Sequence, residues 1–355
     1  FRDLLEGVVQ AWTREPDKVR QNVAALMSAL VQPSKSETGH VVNFTFLDQA
    51  SHWVLRAIDA INGGLGGAPK FPQPFLFDFL WRAWRRSGEP AYQNSVVLTL
   101  DHMCHGGIYD HLGGGFHRYA TDERWLVPHF EKMLYDNALL IDLLTLVWQD
   151  TRSHLYAARV DETVGWVLRE MLAEDGAFAA SLDADTEGEE GRFYVWSYGD
   201  LFSALPPTLS EPFVEAYDCP PTGNWEGKII INRNKPQQAA GHDYENRLAE
   251  ARDLLFRERG KRVPPGRDDK ILADWNGLMI TALVNAGFAF DRPEWIEAAR
   301  TAFHAVFRWM SRGQRLGHSF RRGRLQSQAM LDDYASMSRA ALALFEVTGE
   351  AQYLA

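Results

Sequence analysis

The sequence predicts an all-α protein built as a ring of helical hairpins, with one short β-hairpin inserted. Three observations predict it. Helical periodicity recurs along nearly all of the 355 residues, interrupted by short turns rich in Gly and Pro. Some of these helices are amphipathic and others apolar all round, which is the pattern of an outer and an inner layer in a helical assembly. Finally, three helix beginnings, at 131–139, 274–280 and 331–335, place acids, amides and aromatics within or just before the first turn. Repeated at one end of successive inner helices, such starts open onto a shared cavity.

The elements follow in order. Residues 1–30 read as one or two helices, with Leu4, Leu5, Val8 and Trp12, then Val19, Val23, Leu26 and Leu30 at helical spacing and Pro16 at the break. The polar stretch 32–42 is a linker. A helix over 44–61 is closed by Asn62-Gly63-Gly64. The following loop, Gly64-Leu65-Gly66-Gly67-Ala68-Pro69-Lys70-Phe71-Pro72, is no phosphate cradle, because no strand precedes it and its prolines remove N–H donors. Helices at 75–84 and 92–104 make a hairpin across Ser87-Gly88-Glu89-Pro90. The stretch 106–140 then concentrates glycines, histidines, acids and aromatics, and reads as one wall of a pocket. A helix runs through 146–148 and another over 155–172, ended by Glu174-Asp175-Gly176. The period changes at 177–183 and 191–196, predicting a short hairpin around 185–191, with a further short strand at 227–232. Helices resume at 244–258, 272–290, 293–310 and 331–347.

Composition narrows the function classes. A net charge of −10 and a pI near 5.6 argue against a nucleic-acid partner, which needs a concentrated basic surface. No apolar run reaches the roughly 18 to 20 residues of a membrane span. The two cysteines, Cys104 and Cys219, lie far apart and form no CxxC pair, so a cytoplasmic, reducing setting is expected. His102, Cys104, His105 and His111 look like a cluster, but the helical run 101–105 fans its side chains around the axis and a second ligand pair is missing. Asp183-Ala184-Asp185-Thr186-Glu187-Gly188 copies the first half of a calcium loop, whose twelfth position is Tyr194 where Glu is needed. Neither a metal nor another cofactor is expected.

Several motifs carry a resemblance. The Gly64 to Pro72 loop, Gly107-Ile108-Tyr109-Asp110-His111-Leu112-Gly113-Gly114-Gly115-Phe116-His117-Arg118-Tyr119, the run from Trp125 to Asn137, Ser181-Leu182-Asp183-Ala184-Asp185, Asp268-Asp269-Lys270-Ile271-Leu272 with Trp275-Asn276-Gly277-Leu278, and Leu331-Asp332-Asp333-Tyr334-Ala335 resemble the YyaL-like family, whose mammalian members are called spermatogenesis-associated proteins. The resemblance implies a thioredoxin-like N-terminal domain followed by an (α/α)6 toroid of the six-hairpin glycosidase type, similar also to N-acylglucosamine 2-epimerases. Residues 1–42 are then expected to be the tail of that domain and a connector, with 43–355 the toroid, incomplete at its C-terminus. A thioredoxin-like domain is the expected partner in the intact protein.

The candidate site residues follow from chemistry. Hydrolysis of a glycoside needs two carboxyl groups flanking one bond, and Asp183, Asp185 and Asp268 are carried on loops rather than at helix caps. Asp332 and Asp333 read instead as acids capping a helix start. Sugar epimerisation needs a proton removed and returned, for which His111, His117 and His129 are the candidates. Tyr109, Arg118, Trp125, Glu131, Asp136, Trp225, Trp275 and Asn276 are the expected substrate contacts. The expected ligand is a saccharide-like small molecule, acted on by a hydrolase or an epimerase. The alternative is a non-catalytic barrel that binds a sugar or a protein and serves the thioredoxin-like domain.

Overall fold

The computed structural model describes residues 1–31, 43–173, 176–235 and 241–354. The linker expected at 32–42, and Glu174 and Asp175 at the expected helix end, lie outside the described residues. The chain divides into two compact units, Phe1–Gln49 and Ala50–Ala355. The first holds α1 (Arg2–Arg14) and α2 (Pro16–Val31), separated where Pro16 starts a new helix, and the beginning of α3 (Phe44–Ala57).

The second unit is all-α in architecture. In order it holds α4 (Pro74–Ser87), α5 (Pro90–His105), α6 (Leu134–Thr151), α7 (His154–Trp166, continued by a π-helical turn, Val167–Met171), α8 (Tyr198–Ala204), α9 (Pro207–Ala216), α10 (His242–Arg259), α11 (Ala273–Ala289), α12 (Pro293–Met310) and α13 (Leu331–Thr348). Proline opens α4, α5 and α12, where a missing N–H costs nothing. The helices α4 with α5, α6 with α7, and α11 with α12 pack as successive hairpins laid side by side, the arrangement of an (α/α) toroid.

The two-layer pattern is visible in which residues are buried. On α12 they are Trp295, Ala299, Ala302, Phe303, Ala305, Val306 and Met310, one stripe at helical spacing. On α6 and α11 burial extends around most of the circumference, so these helices form the inner layer. Close approach of α11 to α13 depends on Gly277, where a Cβ would stand 2.6 Å from the Ser336 carbonyl carbon. Between α4, α6, α11 and α13 runs a cavity of about 340 Å³.

The β-structure differs from the expected hairpin of 177–183 with 191–196. The tight hairpin is Asp185–Thr186 with Glu189–Glu190. Ser181–Leu182 pairs instead with Lys132–Met133 on one side and Arg267–Asp268 on the other, making a three-stranded antiparallel sheet. Alternation identifies a strand but does not name its partner, and here both partners are distant in sequence. Ile271–Leu272 pairs with Ser319–Arg321 in a second such sheet. Lys132–Met133 and Ile271–Leu272 lie immediately before α6 and α11 and so align the first turns of the inner helices. A separate apolar cluster, including Trp196, Leu201, Phe213, Ile229 and Leu248, holds α8, α9 and α10 as an insertion between α7 and α11.

Candidate functional site at the rim of the inner helices

The glycine-rich stretch that was expected to wall a pocket is a packed knot. Asp110 organises it, accepting hydrogen bonds from the Leu112 and Gly113 N–H groups at 3.1 Å. Its carboxylate is also gripped by both terminal nitrogens of Arg259, at 2.7 and 2.9 Å, and by Lys132 at 2.8 Å. Burial alone would raise the Asp110 pKa, but the Arg259 and Lys132 charges hold it well below the usual carboxylate range. Gly114, at φ +78°, backs onto α7 so closely that a Cβ would sit 2.3 Å from the Glu162 carbonyl oxygen. These contacts leave the knot no room for a substrate.

Several residues expected in the site belong to this core. His117 is 2% exposed, with Nδ1 3.0 Å from the Phe130 carbonyl. Burial, reinforced by the Lys132 charge, pushes its pKa down to about 3. His111 is likewise buried, its Nε2 3.0 Å from the Gly106 carbonyl, and burial and Arg159 lower its pKa. Both rings are neutral packing elements rather than exposed proton shuttles. Tyr109 donates its hydroxyl to Glu162 at 2.5 Å, and Trp125 donates Nε1–H to the Asn62 carbonyl at 2.9 Å. Trp225 is half-buried against Phe130. Lys70, in the other glycine loop, is consumed by Asp59 at 2.6 Å and the Gly63 carbonyl at 2.7 Å.

Asn276 is a structural clamp, and it has a double. Its Oδ1 accepts from the Phe178 N–H at 2.8 Å, while its Nδ2 donates to the Phe178 carbonyl at 3.0 Å and the Leu272 carbonyl at 2.9 Å. Asn137 repeats this on α6, toward the Phe116 N–H at 2.7 Å, the Phe116 carbonyl at 3.0 Å and the Met133 carbonyl at 2.9 Å. Asn137 ties the loop before α6, and Asn276 the segment that follows α7, to the first turn of an inner helix. This shared device explains why the starts of α6 and α11 look alike in sequence.

The remaining candidates come together on the rim as one polar chain. Glu190 meets His129 Nδ1 at 2.6 Å, and His129 Nε2 lies 3.3 Å from Glu131. Glu131 accepts from Arg118 at 2.9 Å. The Tyr135 hydroxyl lies close enough to the Arg118 guanidinium and the Asp136 carboxyl to influence both. Aromatic rings flank the chain: His129 stacks on Tyr119 at 5.0 Å, and Tyr135 packs against Trp275 at 4.7 Å. Asp136 terminates it. That residue is 7% exposed, and its Oδ2 is buried with no hydrogen-bond partner among the described residues. Burial pushes its pKa up to about 7 against the opposing Arg118 charge and Tyr135 hydrogen bond, with Glu131 adding to the rise.

The three-stranded sheet adds acids beside this chain. Side chains alternate along a strand, and the register places Met133, Ser181 and Asp268 on one face. Continued by one step on the same face, it sets Glu131 opposite Asp183. Asp183 accepts from the Ala184 N–H at 2.7 Å and the Asp185 N–H at 3.4 Å, yet the residue remains exposed. Asp268 pairs with Lys270 at 2.9 Å. Asp185 sits in the exposed hairpin.

A second rim group was not anticipated. Asp274, His318 and Asp333 place one possible ligand atom each within 4.8 Å of one another, which is the spacing for a cation. The Asp333 carboxylate is already engaged: it accepts from the Asp274 N–H at 3.0 Å, the Met330 N–H at 2.8 Å and His318 Nδ1 at 3.0 Å. It therefore reads as the cap expected of Asp333, with His318 oriented by it. Below the rim, the stripe Leu139, Asp142, Leu146 and Gln149 of α6 lines the cavity, and Tyr135 begins that stripe one turn above. Inside the cavity Asp142 is tied to Arg339 at 2.6 Å and Asn285 at 2.7 Å.

No protein-family model matches this chain. It is 28% identical to mouse spermatogenesis-associated protein 20 over 405 aligned positions, covering all of this chain and 51% of the relative. The human protein of that name is 29% identical over 409 positions with the same coverage. The chain thus spans about half the length of the curated relatives it matches. Among solved structures it is similar to a family 76 glycoside hydrolase from a bovine Bacteroides thetaiotaomicron strain, at 13% identity and TM-score 0.48, covering 81% of this chain and 46% of that one. It is also similar to a sugar epimerase from a ruminal bacterium, at 12% identity and TM-score 0.39, covering 85% and 80%. Structural likenesses of this size transfer neither residues nor activity. No helix among the described residues is long and apolar enough to cross a membrane.

Proposed function

We propose that the rim formed by the first turns of α6 and α11 binds a saccharide-like small molecule and cleaves a glycosidic bond by carboxyl chemistry, with Asp136 as general acid and Asp183 as the base. Asp136 gives its proton to the leaving oxygen as the bond to the anomeric carbon breaks. Asp183 takes a proton from the water that attacks that carbon, so the products are an alcohol and a hemiacetal. Tyr135 and Trp275 offer rings on which a sugar can stack. The observation that carries this reading is the Asp136 carboxyl itself, nearly buried, with one oxygen unpartnered among the described residues at the end of a charged chain. An epimerase that works through His111 and His117 is disfavoured, since a ring nitrogen of each is already engaged by a backbone carbonyl, that of Gly106 or of Phe130, inside the glycine-rich knot.

The test is turnover of aryl glycosides and short oligosaccharides. Asp136→Asn is expected to lower kcat by roughly 10²–10⁴-fold with KM little changed. Because the acid must hold its proton, wild-type kcat is expected to fall as pH rises past about 7. Turnover that survives both Asp136→Asn and Asp183→Asn would sink the carboxyl mechanism. One observation favours a second reading, a non-catalytic sugar-binding barrel: the cavity carboxylate Asp142 is fully tied to Arg339 and Asn285. Saturable sugar binding without turnover of any substrate would select that reading.

A further inference from the structure

The sheet that carries acids on one face carries the opposite charge on the other. The alternation that groups Glu131, Asp183 and Asp268 sends Lys132, Leu182 and Arg267 to the reverse side. Lys132 is absorbed by Asp110. Leu182 and Arg267 instead join the wall of a separate cavity of about 390 Å³. Its apolar surface comes from Leu182, Phe193 and Phe256, and its charged groups are Arg169, Arg259, Arg262 and Arg267 against the single acid Glu170.

Pairing does not cancel this positive charge. Arg259 is matched by Asp110, and Arg169 by Glu170 at 2.7 Å. Arg262 donates only to the carbonyls of Phe193, at 2.9 Å, and Val195, at 2.8 Å, while its guanidinium lies 3.9 Å over the Trp196 ring. Arg267 donates to the carbonyls of Glu170 and Leu172, both at 3.1 Å. Carbonyls satisfy donors without neutralising charge, so two guanidinium charges remain uncompensated by any ion pair among the described residues. Burial and the neighbouring Arg259 charge lower the Arg262 pKa, as expected where cations are crowded. A further donor is unspent: Arg259 is 2% exposed, and its Nε–H has no hydrogen-bond partner among the described residues. All this occurs on a chain of net charge −10.

We propose that this cavity is a second small-molecule site, specific for organic anions that combine a flat apolar body with a carboxylate. The body packs on Phe193 and Phe256, and the carboxylate meets the guanidinium groups of Arg262 and Arg267, where a planar anion matches a planar fork. This site is separate from the rim and does not rest on the function proposed there.

Isothermal titration of the full chain with benzoate tests it, with benzyl alcohol as the uncharged analogue and inorganic phosphate as the charge without the apolar body. Benzoate is expected to bind saturably and at least about tenfold more tightly than either, with affinity falling several-fold between about 50 mM and about 500 mM salt. Arg267→Gln is expected to weaken benzoate by roughly tenfold, while Asp136→Asn at the rim leaves it unchanged. Benzoate that binds no better than benzyl alcohol, or without dependence on salt, overturns the proposal. So does a folded Arg267→Gln protein of unaltered affinity. Phosphate that matches benzoate overturns the organic-anion assignment. Should Arg267→Gln fail to fold, the wild-type comparisons decide the matter together with Arg169→Gln, which sits on an exposed side chain and is expected to weaken benzoate as well.

Discussion

Two acids show how far environment can separate identical side chains. Asp110 and Asp136 are both nearly buried, at 6% and 7% exposure. Two cations face Asp110 and keep it charged, whereas Asp136 has one engaged guanidinium nearby and an orphaned oxygen. The consequence for stability has a definite sign. The folded-state pKa of Asp136 is raised from 3.8 to about 7. Between those values the unfolded chain has released a proton that the folded chain still holds, so this residue costs stability as pH rises through that window. Asp136→Asn is therefore expected to stabilise the protein at about pH 8, by on the order of 1–3 kcal/mol, and to leave it nearly unchanged at about pH 4. Calorimetric Tm values for both proteins at the two pH values check this; equal shifts at both would show that Asp136 is charged in the folded state.

At the level of elements, the inner helices are anchored by repetition. Asn137 and Asn276 make matching sets of hydrogen bonds, each to both backbone groups of one buried residue, Phe116 or Phe178, and to the carbonyl just before its own helix, Met133 or Leu272. Removing either side chain strands the N–H and carbonyl of a buried backbone segment, Phe116 or Phe178. Asn137→Ala and Asn276→Ala are each expected to cost about 2–4 kcal/mol, measured by denaturant unfolding. Loss of sugar binding in Asn276→Ala without loss of stability would restore the substrate role expected for that residue. The starts of α6 and α11 were legible as a pair in the sequence because both carry an amide in the first turn, whereas that of α13 carries acids instead. Their purpose was not, since a side-chain amide aimed at a ligand and one aimed at its own chain are spelled identically.

On the scale of the molecule, stability should be uneven. Helices α6 and α11 are buried on most sides and sit at the centre of the large apolar cluster. The α8 to α10 insertion has its own smaller cluster and is joined to the main body partly through the Asp110 and Arg259 pair. Native-state hydrogen exchange is expected to be slowest in α6 and α11 and faster by at least about tenfold in α8 and α9. Uniform protection across all four would show that the insertion and the hairpins unfold as one unit.

The sequence by itself determined most of the helices, though not α8 and α9, together with their division into apolar and amphipathic layers and the recurrent rim, because hydrophobic period and turn chemistry are local properties. It also singled out Arg118, His129, Glu131, Asp136 and Trp275, which the fold gathers at that rim. Tertiary structure alone decided the rest. Whether His111, His117, Trp125 and Asn276 meet a cavity or the core depends on which distant segments cover them, and Arg259, 149 residues beyond Asp110, is what closes the glycine knot. The same holds for Glu190 and His318, whose surroundings are ordinary in sequence, and for the arginine cavity, whose charges converge from the turn that continues α7, the end of α10 and the residues after it, and the Arg267–Asp268 strand. Burial and charge pairing are properties of three-dimensional neighbours, and those set the chemistry of each group.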